Sequence, residues 1–332
     1  MAVAFLERSW LSSLRLPTAS PLLAVGTPPP PRTRTVLGML SFVLPIVLWC
    51  VVSYVPFIWH PLIEVTDPGS SYFSTGMVAP KDAFAEEVAS ARAAGKNPPE
   101  GRPANPIYLP APHQVLLALW NAVVPSDAAS KSLLIAFWHS VQIIFWAFVI
   151  SSSIGVPLGI LCGAYPSIGR LTEPFVEFFR YLPAPAFGAL AVAVLGIYDG
   201  PKIAVVVMGT FFQQVLIIAA TTRRVDYNLL EAAQTLGAKG TRLVFHVIVP
   251  AVLPDLYRDQ RILLGWAWTY LIVAELVGTS SGITFFITQQ ARYQHFDNVY
   301  AAILVLGIVG LGSDMLLALL GRKLFPWKKE VA

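Results

Sequence analysis

Charge is what this 332-residue sequence has least of: only 13% of it is Asp, Glu, Lys or Arg. A soluble domain carries roughly 25%. A charge at the centre of a bilayer costs roughly 2.5–3.5 kcal/mol on insertion scales, so the deficit fits a lipid-facing surface and argues against soluble domains. Cysteine is nearly absent as well. Cys50 and Cys162 lie far apart, each inside an apolar run, which excludes a disulfide framework and a cysteine metal site. Both read as small core residues. His139, His246 and His295 fall in separate regions, so the clustered acids and histidines of a membrane-embedded enzyme or a metal centre are missing. No phosphate-binding loop of the form G-x-x-x-x-G-K-[ST] occurs, because Gly237-Ala238-Lys239-Gly240-Thr241 has the wrong spacing. Glu7, Arg8 and Arg15 interrupt the first stretch, so no clean signal-peptide core forms.

What is present is apolar: 55% of the chain is hydrophobic, with a mean hydropathy of +0.63. A helix needs about 20 apolar residues to cross the hydrocarbon. Six runs qualify as spans: Val36–Ile58, Ser132–Gly169 with a turn near Tyr165-Pro166, Tyr181–Tyr198, Ile203–Thr222, Ile262–Gly278 and Asn298–Leu320. The fifth is the weakest by hydropathy, being interrupted by Glu275. The fold class predicted is an all-α, polytopic membrane bundle of six transmembrane helices.

Basic residues set orientation. They concentrate before the first span (Arg8, Arg15, Arg32, Arg34), between spans four and five (Arg223, Arg224, Lys239, Arg242, Arg258, Arg261) and at the C-terminus (Arg322, Lys323, Lys328, Lys329). An even number of spans puts all three on one side, which the rule makes cytoplasmic. The net charge of +4 then reflects loops at the inner face rather than nucleic-acid binding. The connections Gly200–Lys202 and Thr279–Asp297 fall outside.

The domain plan is a cytoplasmic tail over 1–35, ending in the stiff Pro28–Pro31 run, a first span over 36–58, and a long external insertion over 59–131. A permease core over 132–322 follows, with a cytoplasmic loop at 223–256, then a basic tail over 323–332. Within the insertion, Phe84, Val88 and Ala91 recur at helical spacing across Lys81–Ala94, with Gly95 as a C-cap. Asn97–Pro106 reads as extended. The insertion is either a solvated excursion or a platform beside a pore mouth that touches a partner protein. No internal repeat is evident.

The loop between spans four and five is the most informative segment. Asp226 suits an N-cap, Glu231-Ala232-Ala233 sits on a short helix, and Gly237 ends it. A second helix runs on to Pro250 and Pro254. Small alanines let another surface approach the backbone, Glu231 offers a carboxylate, and Gly237 permits a tight reversal. An ordinary surface hairpin would look similar.

The order Glu231-Ala232-Ala233, Gly237 and Pro250 resembles the EAA signature of binding-protein-dependent ABC importer permeases, with Val247 and Val249 at positions that usually hold Ile and Leu. Leu109–Pro112, Arg180–Pro185, Ala274-Glu275-Leu276 and Asp314 are similar to the nitrate/sulfonate/taurine branch. The resemblance covers roughly Leu109–Lys329. It implies that Glu231, Ala232, Ala233, Gly237 and Pro250 couple to a separate ATPase subunit, which binds the ATP; this chain needs no cofactor and catalyses no reaction itself. It further implies a second permease subunit, as a homodimer, an external solute-binding protein, a bacterial inner-membrane location and a small anionic solute. The longer insertion, the longer tail and Gln213-Gln214 depart from the pattern.

Polar residues inside spans are candidates for a solute path. Arg180 either attracts an anion or snorkels to the interface. Gln213 and Gln214 either line the path or hydrogen-bond between helices. Glu275 reads as a structural partner or a gate, His139 as a packing residue, and Asp314 as an anchor at the inner end of span six. The rival reading is an ion-gradient-driven secondary transporter, which would show paired broken helices in two halves. A membrane scaffold is the remaining rival, and the EAA resemblance weighs against all of them.

Overall fold

A computed structural model describes residues 29–55, 60–124, 128–276 and 281–328. Most of the expected tail, the end of span five at Gly278 and Lys329 lie outside them. The chain divides into two compact units, Met1–Pro106 and Ile107–Ala332. The division falls ahead of residue 131, so the later part of the expected insertion belongs to the second unit.

The first unit opens with helix α1, Pro31–Tyr54. It starts before Val36 because proline suits the first helical position, where no N–H is needed. Phe42, Leu44 and Leu48 stand exposed around it, the mark of a helix solvated by lipid. Strands β1 (Leu62–Asp67) and β2 (Val78–Pro80), helix α2 (Lys81–Ala93) and strand β3 (Glu100–Ala104) follow. The sheet is antiparallel in the order β2-β1-β3, with Glu64 opposite Arg102. Their side chains pair at 2.9 Å. Phe84 of α2 packs with Val65, Phe73 and Ala79. Gly95 has φ +65° and closes α2 through Gly95 N–H to Arg92 O and Lys96 N–H to Ala91 O. This small sheet is a departure from the all-α expectation. Its strands are short, β2 and β3 carry Pro80, Gly101 and Pro103, and only residues 63–66 of β1 alternate apolar with polar, so the sheet exists by pairing across distant sequence.

The second unit is helical. It contains α3 (Pro112–Val123), α4 (Ala128–Ala164), α5 (Pro166–Arg180), a 3-10 turn (Ala184–Phe187), α6 (Gly188–Leu195), α7 (Asp199–Thr222), α8 (Tyr227–Thr235), α9 (Gly240–Leu243), a π turn (Val244–Ile248), α10 (Val249–Leu276), α11 (Ile283–Arg292) and α12 (Phe296–Leu324). The break at Tyr165-Pro166 falls where the sequence put it. Three expectations change. The third span, Tyr181–Tyr198, is not one helix: it holds the 3-10 turn and the eight-residue α6, and this pair meets α5 at 85°, because Pro183 and Pro185 lack N–H donors for a continuous ladder. Gly200–Lys202 is not a loop but the first turn of α7. The helix after the hairpin does not stop at Pro250 or Pro254 but runs to Leu276.

Among the described residues, four helices are long and apolar enough to cross a membrane: α1, α4, α7 and α12. The bent pair makes up to five. The count of six is not reached on those criteria, since the 28-residue α10 carries Asp255, Arg258, Asp259 and Arg261 in its first half.

Helices α4 and α7 pack closely because α4 presents Gly155, Gly159 and Gly163 to α7, a small-residue stripe of the kind that lets membrane helices approach. A Cβ at Gly159 would meet Ile218 Cβ at 2.6 Å and Val215 O at 2.9 Å. One at Gly163 would meet Ala219 O at 2.7 Å. Ile143, Ala147, Val205, Val206, Ala267 and Leu271 then fill the space between α4, α7 and α10. Gly159→Val is expected to lower stability by about 1–3 kcal/mol through overpacking, read as an earlier thermal transition in detergent. An unchanged transition would contradict this packing.

Candidate functional site

The hairpin between α7 and α10 is built by local rules. The Asp226 carboxylate accepts from Asn228 N–H at 2.9 Å and caps α8. At the other end Gly237 has φ +92°, and Ala238 N–H donates to Ala233 O. A Cβ at Gly237 would meet nothing within 4 Å, so conformation rather than space requires glycine there. Glu231 and Ala232 are exposed, Ala233 is half-buried, and α8 buries no residue at all. Tyr227 is 73% and Leu236 89% exposed. The chain re-enters the bundle through the π turn, where Val249 N–H reaches back to Val244 O. Pro250 follows at once: its ring would clash with the carbonyl four residues earlier in a regular helix, and the wider turn relieves this. At the base of the hairpin, Arg223 pairs with Glu173 of α5.

The candidate path residues do not form one site. Gln214 is 1% exposed. Its oxygen accepts from Ser151 Oγ at 2.6 Å, and its nitrogen donates to Ser152 Oγ at 2.9 Å and Gln260 Oε1 at 2.7 Å. It therefore ties α4, α7 and α10 together. Gln213 points elsewhere, accepting from Arg180 at 3.5 Å. Arg180 also donates to Tyr181 Oη at 3.1 Å, lies 4.9 Å from that ring's centre and sits 3.7 Å from Glu177. It occupies the elbow where α5 turns toward α6.

Glu275 lies near the opposite end of α10 from the hairpin and is 3% exposed. Its carboxylate accepts from Thr284 N–H at 2.8 Å and from Ser140 Oγ, which in turn accepts from Ile283 N–H at 2.8 Å. A negative charge is thereby seated on the first turn of α11, where the helix dipole favours it. Gly282, with φ +104°, passes directly over that carboxylate and has no room for a Cβ. His139 is more than a packing residue, since its Nε2 meets Asp199 Oδ2 at 2.9 Å. Asp314 receives Arg261 in a two-pronged bond at 2.9–3.1 Å, joining α12 to α10.

Sequence reasoning missed Lys202. Its side chain is 0% exposed, with Nζ donating to Asp199 Oδ1 at 3.3 Å, Ser281 Oγ at 2.5 Å and Ser281 O at 3.3 Å. His139, Asp199, Lys202 and Ser281 thus fasten the ends of α4 and α7 to the segment leading into α11. The available signal was Asp199 three residues before Lys202 at the edge of an apolar run. Asp259, bonded to Thr221 Oγ1 at 2.5 Å, was missed as well: it lies ahead of the expected start of span five at Ile262, in a segment whose basic residues alone were read.

Comparison with known proteins identifies the family. Residues 155–326 match the family model for the binding-protein-dependent transport system inner membrane component. The chain is 30% identical over 227 residues to the taurine transport system permease protein TauC of Escherichia coli, covering 68% of this chain and 82% of that protein. It is 25% identical over 226 residues to the nitrate import permease protein NrtB of Synechocystis, covering 67% and 82% respectively. Among solved structures, an inward-facing conformation of the MetNI methionine ABC transporter aligns with a TM-score of 0.51 at 18% identity, over 60% of this chain and 97% of that one; this likeness speaks to fold alone. The chain belongs to the binding-protein-dependent transport system inner membrane components, the permease subunits of ABC importers.

Proposed function

We propose that this permease works in an ATP-driven importer of a small anion of the taurine, sulfonate or nitrate type, delivered by an external binding protein. The observation that carries the reading is the hairpin: a capped, glycine-terminated helix between two long helices, presenting Tyr227, Leu236 and Glu231 to solvent and burying none of its own residues among the described residues. An ATPase subunit is the partner that the family implies. Glu231, Ala232, Ala233, Gly237 and Pro250 are the coupling residues, and the basic side of the protein, with both termini, is cytoplasmic.

The mechanics follow from continuity. Helix α10 leaves the hairpin through the π turn and runs the length of the bundle without interruption. A pull on α8 is therefore delivered to the membrane interior by a rigid rod. ATP-driven closure of two ATPase subunits would move two such rods in a homodimer and switch the solute path, at the subunit interface, between outward- and inward-open. Arg180, at the α5–α6 elbow, supplies a positive charge that suits an anionic solute. Glu275, Gln213 and Gln214 act as supports of that path rather than as its contacts, since each is engaged by neighbouring helices.

The test is reconstitution of this chain with its ATPase and binding protein in vesicles, followed by uptake of radiolabelled taurine, an alkanesulfonate and nitrate. ATP-dependent accumulation of at least one, and none without ATP, is the expected result. Uptake that follows an ion gradient without ATP, or that accepts only cations and neutral sugars, would overturn the reading.

A further inference from the structure

A cavity of about 390 Å³ lies between α3, α11 and α12. Its buried walls are apolar, formed by Ala122, Leu133 and Phe286. Five more open residues around it are polar: Gln114 and Asn121 of α3, Gln290 of α11, and Asp297 and Asn298 of α12. The one formal charge among the lining residues is the negative charge of Asp297.

Part of this polar wall is already engaged. Gln114 Oε1 accepts from Ala111 N–H at 2.9 Å, and Asn298 Nδ2 donates to Gln290 Oε1 at 3.0 Å. Two neighbouring acceptors are left on α12, Asn298 Oδ1 and the Asp297 carboxylate, and neither has a hydrogen bond or ion pair among the described residues. In the first turn of α12 the charge of Asp297 suits the helix dipole. That accounts for its position and gives its oxygens no donor.

The chemistry of the wall narrows the ligand. Asp297 repels an anion. A calcium ion takes about 6–8 oxygen ligands, whereas the wall carries one carboxylate, and among the described residues no group of three His, Cys, Asp or Glu is placed to hold a metal. A plain hydrocarbon leaves both acceptors empty. An alkylammonium answers every part: its charge meets Asp297, its N–H groups donate to the carboxylate and to Asn298 Oδ1, and its carbon chain meets the apolar wall, where the Phe286 ring attracts a cation. Small-ligand sites have this form, apolar cavities of about 300–1,000 Å³ with a few placed polar groups.

We propose that this cavity binds an organic ammonium group through Asp297 and Asn298, with the attached carbon chain against Leu133 and Phe286. The ammonium is that of a free amino compound or of a lysine side chain on a protein docked at this end. Placing the cavity on the outer face rests on the orientation proposed above; the binding does not. A chain that binds the ammonium but imports nothing would remove the proposed function and leave this site standing. Native import without ammonium binding would do the reverse.

The experiment is isothermal calorimetry of the full chain in non-ionic detergent, titrated with butylammonium chloride, with 1-butanol and sodium butyrate as neutral and anionic counterparts. Saturable binding of butylammonium alone is expected. Asp297→Asn should weaken it about tenfold, the margin between a charged and a neutral hydrogen bond. Gln290→Glu keeps the acceptor for Asn298 and adds a second charge, so it should tighten binding by about the same factor; a misfolded variant would not do this. No saturable binding to the native chain would overturn the proposal. So would equal binding of 1-butanol, native affinity in both variants, or displacement of butylammonium by calcium chloride, which would mark a metal site. A final titration in the presence of the external binding protein separates the two sources. Competition by that protein, lost once its lysines are acetylated, supports the proposal with a lysine as ligand. Undiminished butylammonium binding beside it supports the proposal with a free amine.

Discussion

Glu275→Ala is expected to destabilise the bundle by about 3–5 kcal/mol, the cost of removing one member of a buried charged network. The reason is the number of groups that depend on one carboxylate. Thr284 N–H and Ser140 Oγ donate to it, and Gly282 passes directly over it. Alanine would leave Thr284 N–H without its acceptor, remove one of the acceptors of Ser140 Oγ and open a cavity beneath Gly282, all in a buried site. Glu275→Gln keeps the shape and one acceptor, so its loss should be nearer the roughly 1 kcal/mol of a single hydrogen bond. Thermal unfolding of the purified variants, read beside uptake, separates the two roles that the residue could have. A structural carboxylate gives a large loss of stability with Ala and near-native uptake with Gln. A gate would give native stability in both and no uptake in either; that outcome would remove Glu275 from the structural account.

Gly237→Val carries the second large effect, this time on coupling. At φ +92° a side chain is opposed by its own backbone, by roughly 1–2 kcal/mol and more for a β-branched residue. Relief requires the end of α8 to re-form, which redirects Leu236 and the Glu231 face. Each 1.4 kcal/mol corresponds to a tenfold change in equilibrium, so ATP-dependent uptake should fall about tenfold or more. Membrane insertion and the thermal transition should stay as in the native protein, since α8 buries nothing in the bundle. Crosslinking from Glu231→Cys to the ATPase subunit should weaken in parallel. Native uptake in Gly237→Val, or no crosslink to an ATPase from position 231, would detach the hairpin from its assigned role.

The hairpin was legible because its determinants are neighbours in sequence. Asp226 caps the residue two ahead of it, and Gly237 closes a helix that begins ten positions earlier. The same holds for α2 with Gly95 and for the turn at Tyr165-Pro166. What was not legible depends on partners brought together by folding. Lys202 meets Ser281, Gln214 meets Gln260, and Glu64 meets Arg102, each across tens of residues. Hydropathy averages treat Lys202 as a loop charge because they cannot see that Asp199 and Ser281 accept its protons. Proline misled in both directions: Pro254 is carried inside a long helix, as Pro45 and Pro157 are within the expected first and second spans, whereas Pro183 and Pro185 part α5 from α6. The difference lies in clustering, since two prolines in three residues remove successive donors while one is absorbed. The glycine stripe on α4, at four-residue spacing, went unread in the sequence, because its meaning lies in the side chains of α7 that close against it.

The 85° elbow has a consequence for the lipid around it. The eight residues of α6 rise about 12 Å and the four of the 3-10 turn about 8 Å, so together they fall roughly 10 Å short of a 30 Å hydrocarbon slab. Peptide groups at the break cannot be left facing oil. Tyr181 N–H to Phe178 O, Leu182 N–H to Phe179 O and Ala186 N–H to Pro183 O meet part of that demand, and the rest requires that the elbow beside Arg180 turn toward protein or a water-lined cavity and away from the acyl chains.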